Sequence, residues 1–382
     1  MNENELIGLP PIPEDDVPAQ PRRRIPLIFL IFYLFFALSA LLFLACLFSP
    51  ALADGVNRTL SAAIRAFLAH LTGWIPFSFA ELLLLLSPVV LVSLILFGVR
   101  RFSNSWHDVM RYCLSLISIL ALVGGIFLSA FAPGYHGRTL DEKLALDKRE
   151  VSASELYETA YLLLSAMNEE LDEISFTTDG FSCSPHDLKE MNRLLLDAYD
   201  TLGAEHDFIP RLKSRIKPVM LSRAMSYTHI TGVYTFFTGE ANLNVDFPDY
   251  TLPFTAAHEL AHQRGIARED EANFVAFLVC TASDDAYLRY CGYRNLFDHV
   301  ISALYEAAPS MYSSLLAYAP RPILREMRAY SQFFDQYRDS IAADVSEVVN
   351  NTYLTIQGTE GTKSYGMVVD LAVAYFRVAE GP

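Results

Sequence analysis

Five consecutive residues, His258-Glu259-Leu260-Ala261-His262, have the types and spacing of a zinc site. On an α-helix, side chains four apart project from one face, so the two imidazoles can share one metal ion. Glu259 then lies beside them as the base that takes a proton from the attacking water. A catalytic zinc takes three protein ligands and keeps one position open, so a third ligand is required. Glu269 and Glu271 are the candidates. Acidic residues in the first turn of a helix also serve to complement its dipole. Position argues for more than that here, because a chain reversing at Gly265 returns its next helix alongside His262, within reach of a carboxylate.

The elements that must hold these residues are legible nearby. Thr251 is placed to cap a helix, Pro253 falls in a first turn that does not need its N–H, and Gly265 is a natural stop. Arg268-Glu269-Asp270-Glu271 opens a second helix, and Ala272 to Val279 is the apolar run of a buried one. Before the motif, Ala241, Leu243 and Val245 alternate with Asn242, Asn244 and Asp246, the period of a half-buried strand. Such a strand beside a zinc helix can take an extended peptide onto its edge, which makes Asn242 and Asn244 candidate substrate-binding residues. The competing role is a hairpin that covers the core.

The run His258-Glu259-Leu260-Ala261-His262-Gln263-Arg264-Gly265, followed by Arg268-Glu269-Asp270-Glu271-Ala272-Asn273-Phe274, resembles an uncharacterised, domain-of-unknown-function family of bacterial membrane proteins with a zincin-like motif. The wider pattern is similar to the membrane metallopeptidases of the gluzincin class. That resemblance implies Glu269 as third ligand and Asn273 as the residue supporting the ligands from behind, where those enzymes carry Asp. The gap from His262 to Glu269 is shorter than in gluzincins, and Glu271 stays open as the alternative ligand. Peptide or protein as substrate is likewise what the resemblance implies. Asn351 to Leu354 and Gly361 to Gly366 also match the uncharacterised family, which brings in Tyr353 and Tyr365 on the substrate side.

The chain has 382 residues, 52% hydrophobic and 19% charged, with a formal net charge of −15. Such acidity argues against nucleic acid as a partner, since no domain-wide basic surface is available to neutralise phosphates. The five cysteines, Cys46, Cys113, Cys183, Cys280 and Cys291, match no disulfide framework or zinc knuckle. Residues 1–24 read as a disordered cytoplasmic tail. Three apolar runs, about 25–48, 80–99 and 112–131, are long enough to cross a lipid bilayer. Arginines precede the first run and lie between the second and third, which places the N-terminus in the cytoplasm and residues 133–382 outside it; that the membrane is a bacterial cell membrane is what the resemblance implies. Leu60, Ile64, Phe67, Leu68, Leu71 and Trp74 mark a helix in the first loop, lying on the membrane or packed on the soluble domain.

The expected fold class is α+β and mostly helical: a three-span membrane domain over 25–132, then a zincin-like metallopeptidase domain with a small sheet over 133–382. Within it, helices are expected over Ser152–Glu173 and Ser184–Tyr199, each capped by its serine, and around Arg294–Ala307 and Pro322–Val349. Arg211, Lys213, Arg215 and Lys217 read as a solvated basic face. His299, Tyr287, Tyr290 and Tyr293 are residue types that can steady an oxyanion, though packing is their more ordinary use. The functional reading is a membrane-anchored zinc metallopeptidase. Its rival is a non-catalytic membrane sensor or envelope assembly protein that retains a zincin-like metal site.

Overall fold

A computed structural model describes residues 26–102, 105–359 and 367–379. The tail over 1–24 and Tyr365 lie outside these. The chain opens with α1 (Leu27–Leu47), then α2 (Pro50–Val56), a π-helical turn (Asn57–Ser61) and α3 (Ala62–Gly73). Next come α4 (Phe79–Phe102) and α5 (Trp106–Ala130). α1, α4 and α5 are long and apolar enough to cross a membrane, with mean hydropathies of 2.8, 2.8 and 2.4, and α1 and α4 bury almost nothing within the protein.

The remainder is built from α6 (Leu140–Leu144), α7 (Ala153–Glu170), α8 (Leu188–Glu205), β1 (Ile216–Pro218), α9 (Ser222–Ser226), β2 (Gly232–Thr235) and β3 (Glu240–Leu243). It continues through α10 (Leu252–Arg264), α11 (Glu269–Thr281), α12 (Ala286–Ala307), α13 (Pro309–Tyr318), α14 (Arg321–Asp335), α15 (Ile341–Ile356) and α16 (Val368–Ala379). The architecture is mostly helical with a small sheet in the order β1-β3-β2. β1 runs parallel to β3, and β2 antiparallel to it. α10 and α11 are buried on every side, with α8, α12 and α16 packed around them. For α11 beyond Asn273 this is the packing expected of a helix apolar around its whole circumference, whereas α10 buries His262, Glu259, Gln263 and Arg264 as well.

Several sequence expectations are corrected. α7 begins after Ser152, which forms a full capping box with Glu155, but α8 begins after Asp187, whose carboxylate accepts the Glu190 N–H. Ser184 instead accepts the backbone N–H of His186 across Pro185. The helix expected over Pro322–Val349 breaks into α14 and α15, because Tyr337 turns inward. Its hydroxyl donates to Asp246 at 2.7 Å and its carbonyl meets His229. Thr251 gives α10 no side-chain cap, since its hydroxyl donates back to Pro248.

The expected half-buried strand is the central one. Asn242 and Asn244 are as buried as Ala241 and Leu243, while Val245 is the exposed residue. The basic cluster divides in the same way. Arg211 and Lys213 face solvent, but Lys217 is 2% exposed and pairs with Glu240, and Arg215 reaches the Ile75 carbonyl. Burial pulls the Lys217 ammonium below its ordinary pKa, and the Glu240 carboxylate opposes that pull.

These charges stitch the segment between α1 and α4 onto the later helices. Lys217 also donates to the Thr72 carbonyl at 2.8 Å, and Glu240 accepts the first backbone N–H groups of α4, from Phe79 and Ala80. Glu81 in turn accepts the N–H groups of Met220 and Leu221, both at 2.8 Å. A boundary near residue 132 therefore runs through a packed interface. α3 buries Arg65, Leu68, Ala69 and Thr72 against that interface, the packed position foreseen for it, and leaves Phe67 and Leu71 exposed.

Candidate metal centre

α10 ends at Gly265, whose φ of +96° lets the chain reverse without a Cβ clash. The turn is pinned from the membrane side. Arg65 donates to the carbonyls of Arg264 and of Ala130, the last residue of α5, and Asn57 donates to the Gly265 carbonyl at 2.9 Å. The reversal brings α11 back along α10 and sets Glu269 against both histidines. Its Oε2 lies 3.1 Å from His258 Nε2 and 3.5 Å from His262 Nε2. These three are the group of side chains, among the described residues, that could hold a metal ion, with ligand atoms all within 4.8 Å of one another.

Glu271, the other candidate, points elsewhere. Its carboxylate accepts the Leu140 N–H at 2.9 Å and the Arg268 guanidinium at 2.7 Å. Two residues along a helix turn a side chain through about 200°, so only one of the pair can face the histidines. Asn273 lies one turn beyond Glu269 and is buried in α11.

The donor set suits zinc. His262 Nδ1 lies 2.7 Å from the Ile266 carbonyl; donating there leaves Nε2, which faces Glu269, as the atom a metal would take in place of its proton. Zinc ligands at about 2.0–2.2 Å in tetrahedral array stand roughly 3.3 Å apart, close to the two separations of Glu269 from the histidines. His258 Nδ1 and Glu259 Oε2 are buried without a hydrogen-bond partner.

The electrostatics couple these groups. Burial raises the Glu259 carboxyl to about 7, against the opposing pull of the two imidazoles. For His262, burial lowers the pKa, but the Glu269 carboxylate more than offsets it and lifts the imidazole to about 9. Burial also disfavours the Glu269 anion, yet the histidines hold its carboxyl well below the usual range.

The strand beside the centre is β2 rather than β3. β2 is a sheet edge, the Tyr234 backbone lies close enough to Glu259 to favour its charged form, and a Cβ on Gly232 would lie 2.6 Å from Glu259 Oε1. Asn242 and Asn244 do not line this edge. Asn242 donates to Val233, Thr235 and Glu240, and Asn244 to Ser226 and Ile230, which ties the loop and strands together. Gly232 was not singled out in the sequence; a glycine in a strand can mark close backbone approach, which is the signal that could have found it.

Aromatic residues close the membrane side of the centre. The Phe131 ring, directly after α5, meets the His262 ring edge-on at 5.9 Å, and Tyr234 packs on Phe131. Tyr353 of α15 shares a 3.1 Å hydroxyl contact with Tyr135. Burial, then the nearby Glu269 carboxylate, raise its phenol to about 12. Tyr135 carries no motif signal; its place follows only from the turn after α5. Of the other residues considered, Tyr290 donates to Glu326, Tyr287 is buried and Tyr293 packs on Phe277. His299 alone lies near the centre, its pKa lowered by burial, with His258 adding to the effect.

A membrane-associated, mostly helical chain with a three-stranded sheet and a buried His-His-Glu cluster is the class these observations define. The family described as "Protein of unknown function (DUF3810)" matches over residues 57–373, and the chain belongs to it. No curated protein and no solved structure matches the chain.

Proposed function

We propose that the chain is a membrane-anchored zinc-dependent metallopeptidase whose catalytic part faces away from the cytoplasm. The observation that carries this reading is the buried His258, His262 and Glu269 group with Glu259 beside it and no fourth His, Cys, Asp or Glu in the group among the described residues. Three protein ligands leave room for a reacting molecule, whereas a structural zinc is closed by four. Zinc bound there would supply Lewis acidity toward a carbonyl oxygen and lower the pKa of water.

The chain's own residues would do the rest. Glu259 accepts the proton of the attacking water and returns it to the leaving amine nitrogen. A carboxyl lifted to about 7 suits both halves of that transfer. The edge of β2 offers backbone to an extended peptide, and Gly232 lets that backbone lie close to Glu259. Tyr353 and Tyr135 place hydroxyl groups near Glu269, where a donor can steady a developing oxyanion. Asn273 would support the ligands from behind. The arginine distribution around the spans supports the orientation.

Burial of the whole group favours a second reading, a non-catalytic sensor or envelope assembly protein in which the metal only ties α10 to α11. Glu259→Gln separates the two. Metal content should be retained and turnover should fall by about 10²- to 10⁴-fold. Mass spectrometry of envelope peptides from cells carrying each form checks this, and identical peptide populations would sink the peptidase reading.

A further inference from the structure

α15 has one feature that the metal centre does not use. Ile341, Val345, Val348, Val349 and Ile356 fall along a single helical face, and each is between 59% and 81% exposed. The opposite side supplies the packing, through buried Ala343 and Leu354 and half-buried Tyr353. Asp344, Glu347 and Asn351 form a polar flank between the two. An aliphatic stripe of this length facing water is costly, at about 0.8 kcal/mol per exposed CH₂.

Its position tells what covers it. The Tyr353 ring meets the Phe127 ring edge-on at 6.2 Å, and Phe127 lies in α5, one of the helices apolar enough to span a membrane. Phe127 is three residues from the end of α5, about 4.5 Å along its axis. That end of α15 therefore sits beside the end of α5, at the depth where a bilayer crossed by α5 would meet water. Tyr353 and Tyr135 have the amphipathic side chains found at that level. The stripe also lacks the aromatic and arginine anchors that concentrate binding energy in protein interfaces.

We propose that the Ile341–Ile356 stripe of α15 is seated in the acyl boundary of the lipid bilayer, as an interfacial helix that lies in the membrane surface. The partner is lipid hydrocarbon rather than a charged headgroup, because the flank is acidic. The seat holds Tyr353 beside Tyr135 at the membrane edge of the metal centre.

The test uses the full-length chain in phosphatidylcholine nanodiscs, carrying a benzophenone photocrosslinking residue at position 348. Position 92, exposed on α4, serves as the lipid reference, and position 347 on the acidic flank as the control. The expected result is a phospholipid adduct at 348 comparable to that at 92, and at least fivefold less at 347. An adduct to a second chain at 348, or equal labelling at 348 and 347, would overturn the proposal. The readout requires neither metal nor turnover, so it fails or succeeds separately from the peptidase reading.

Discussion

Two regions bury polar groups, and they differ in which groups they leave open. In the seam between the α1–α4 connection and the later helices, the carboxylates and the terminal nitrogens of the cations are closed on partners, and only inner atoms such as Arg65 Nε and Arg215 Nε are buried without one. Glu240 takes the Lys217 ammonium and two backbone N–H groups, Glu81 takes two more, and Arg65 spends its terminal nitrogens on four acceptors. In the metal centre, His258 Nδ1, Glu259 Oε2 and the Tyr234 hydroxyl are buried without a partner. An unpaired buried polar atom costs about 1–3 kcal/mol, so a fold retains one where something other than stability requires it. The seam is architecture, whereas the centre leaves open a candidate ligand and the candidate base, which is what the proposed function would use.

The contrast can be broken by substitution. Glu240→Ala leaves Lys217 charged and buried and frees two N–H groups at the start of α4, so stability should fall by about 3–5 kcal/mol. Thermal unfolding in detergent measures it, and a loss under 1 kcal/mol would mean the seam is not what joins the two regions. Glu259→Leu should do the reverse. Removing a carboxylate with an unsatisfied oxygen should leave stability unchanged or raise it by about 1 kcal/mol in metal-free protein, and a large loss would make Glu259 a structural residue.

The smallest effect concerns pH. Arg377 and then Ser152 hold the Glu155 carboxyl down at about 2, from an ordinary value of 4.5. A depressed folded-state pKa contributes stability that is complete above about 4.5 and is lost as pH falls toward 2. Glu155→Gln should therefore be less stable than the wild type at pH 6, with the difference shrinking steadily as the pH is lowered from 4.5 to 2. A difference independent of pH would show that the capping box acts through geometry alone.

What the sequence made legible follows from the range of the interactions involved. The α10 and α11 pair, the reversal at Gly265 and the three apolar spans rest on periodicity and turn chemistry within about 20 residues, and each stands where expected. The roles of Asn242 and Asn244 were misread because alternation says which side chains share a face but not whether both faces are covered. β3 proved to be central, flanked by β1 and β2. Lys217 was misread for a similar reason, since its partner Glu240 is 23 residues away and its second acceptor, Thr72, is 145 away. The choice between Glu269 and Glu271 turned on helix phase and on Leu140, whose N–H occupies Glu271 from 131 residues away.

Metal analysis of purified full-length protein tests the central claim most directly. The account predicts one zinc per chain in the wild type, retained in Glu259→Gln and Glu271→Gln and lost when His258 and His262 are both replaced by alanine. Protein that folds and carries no zinc, or a zinc content unaffected by losing both histidines, would contradict it.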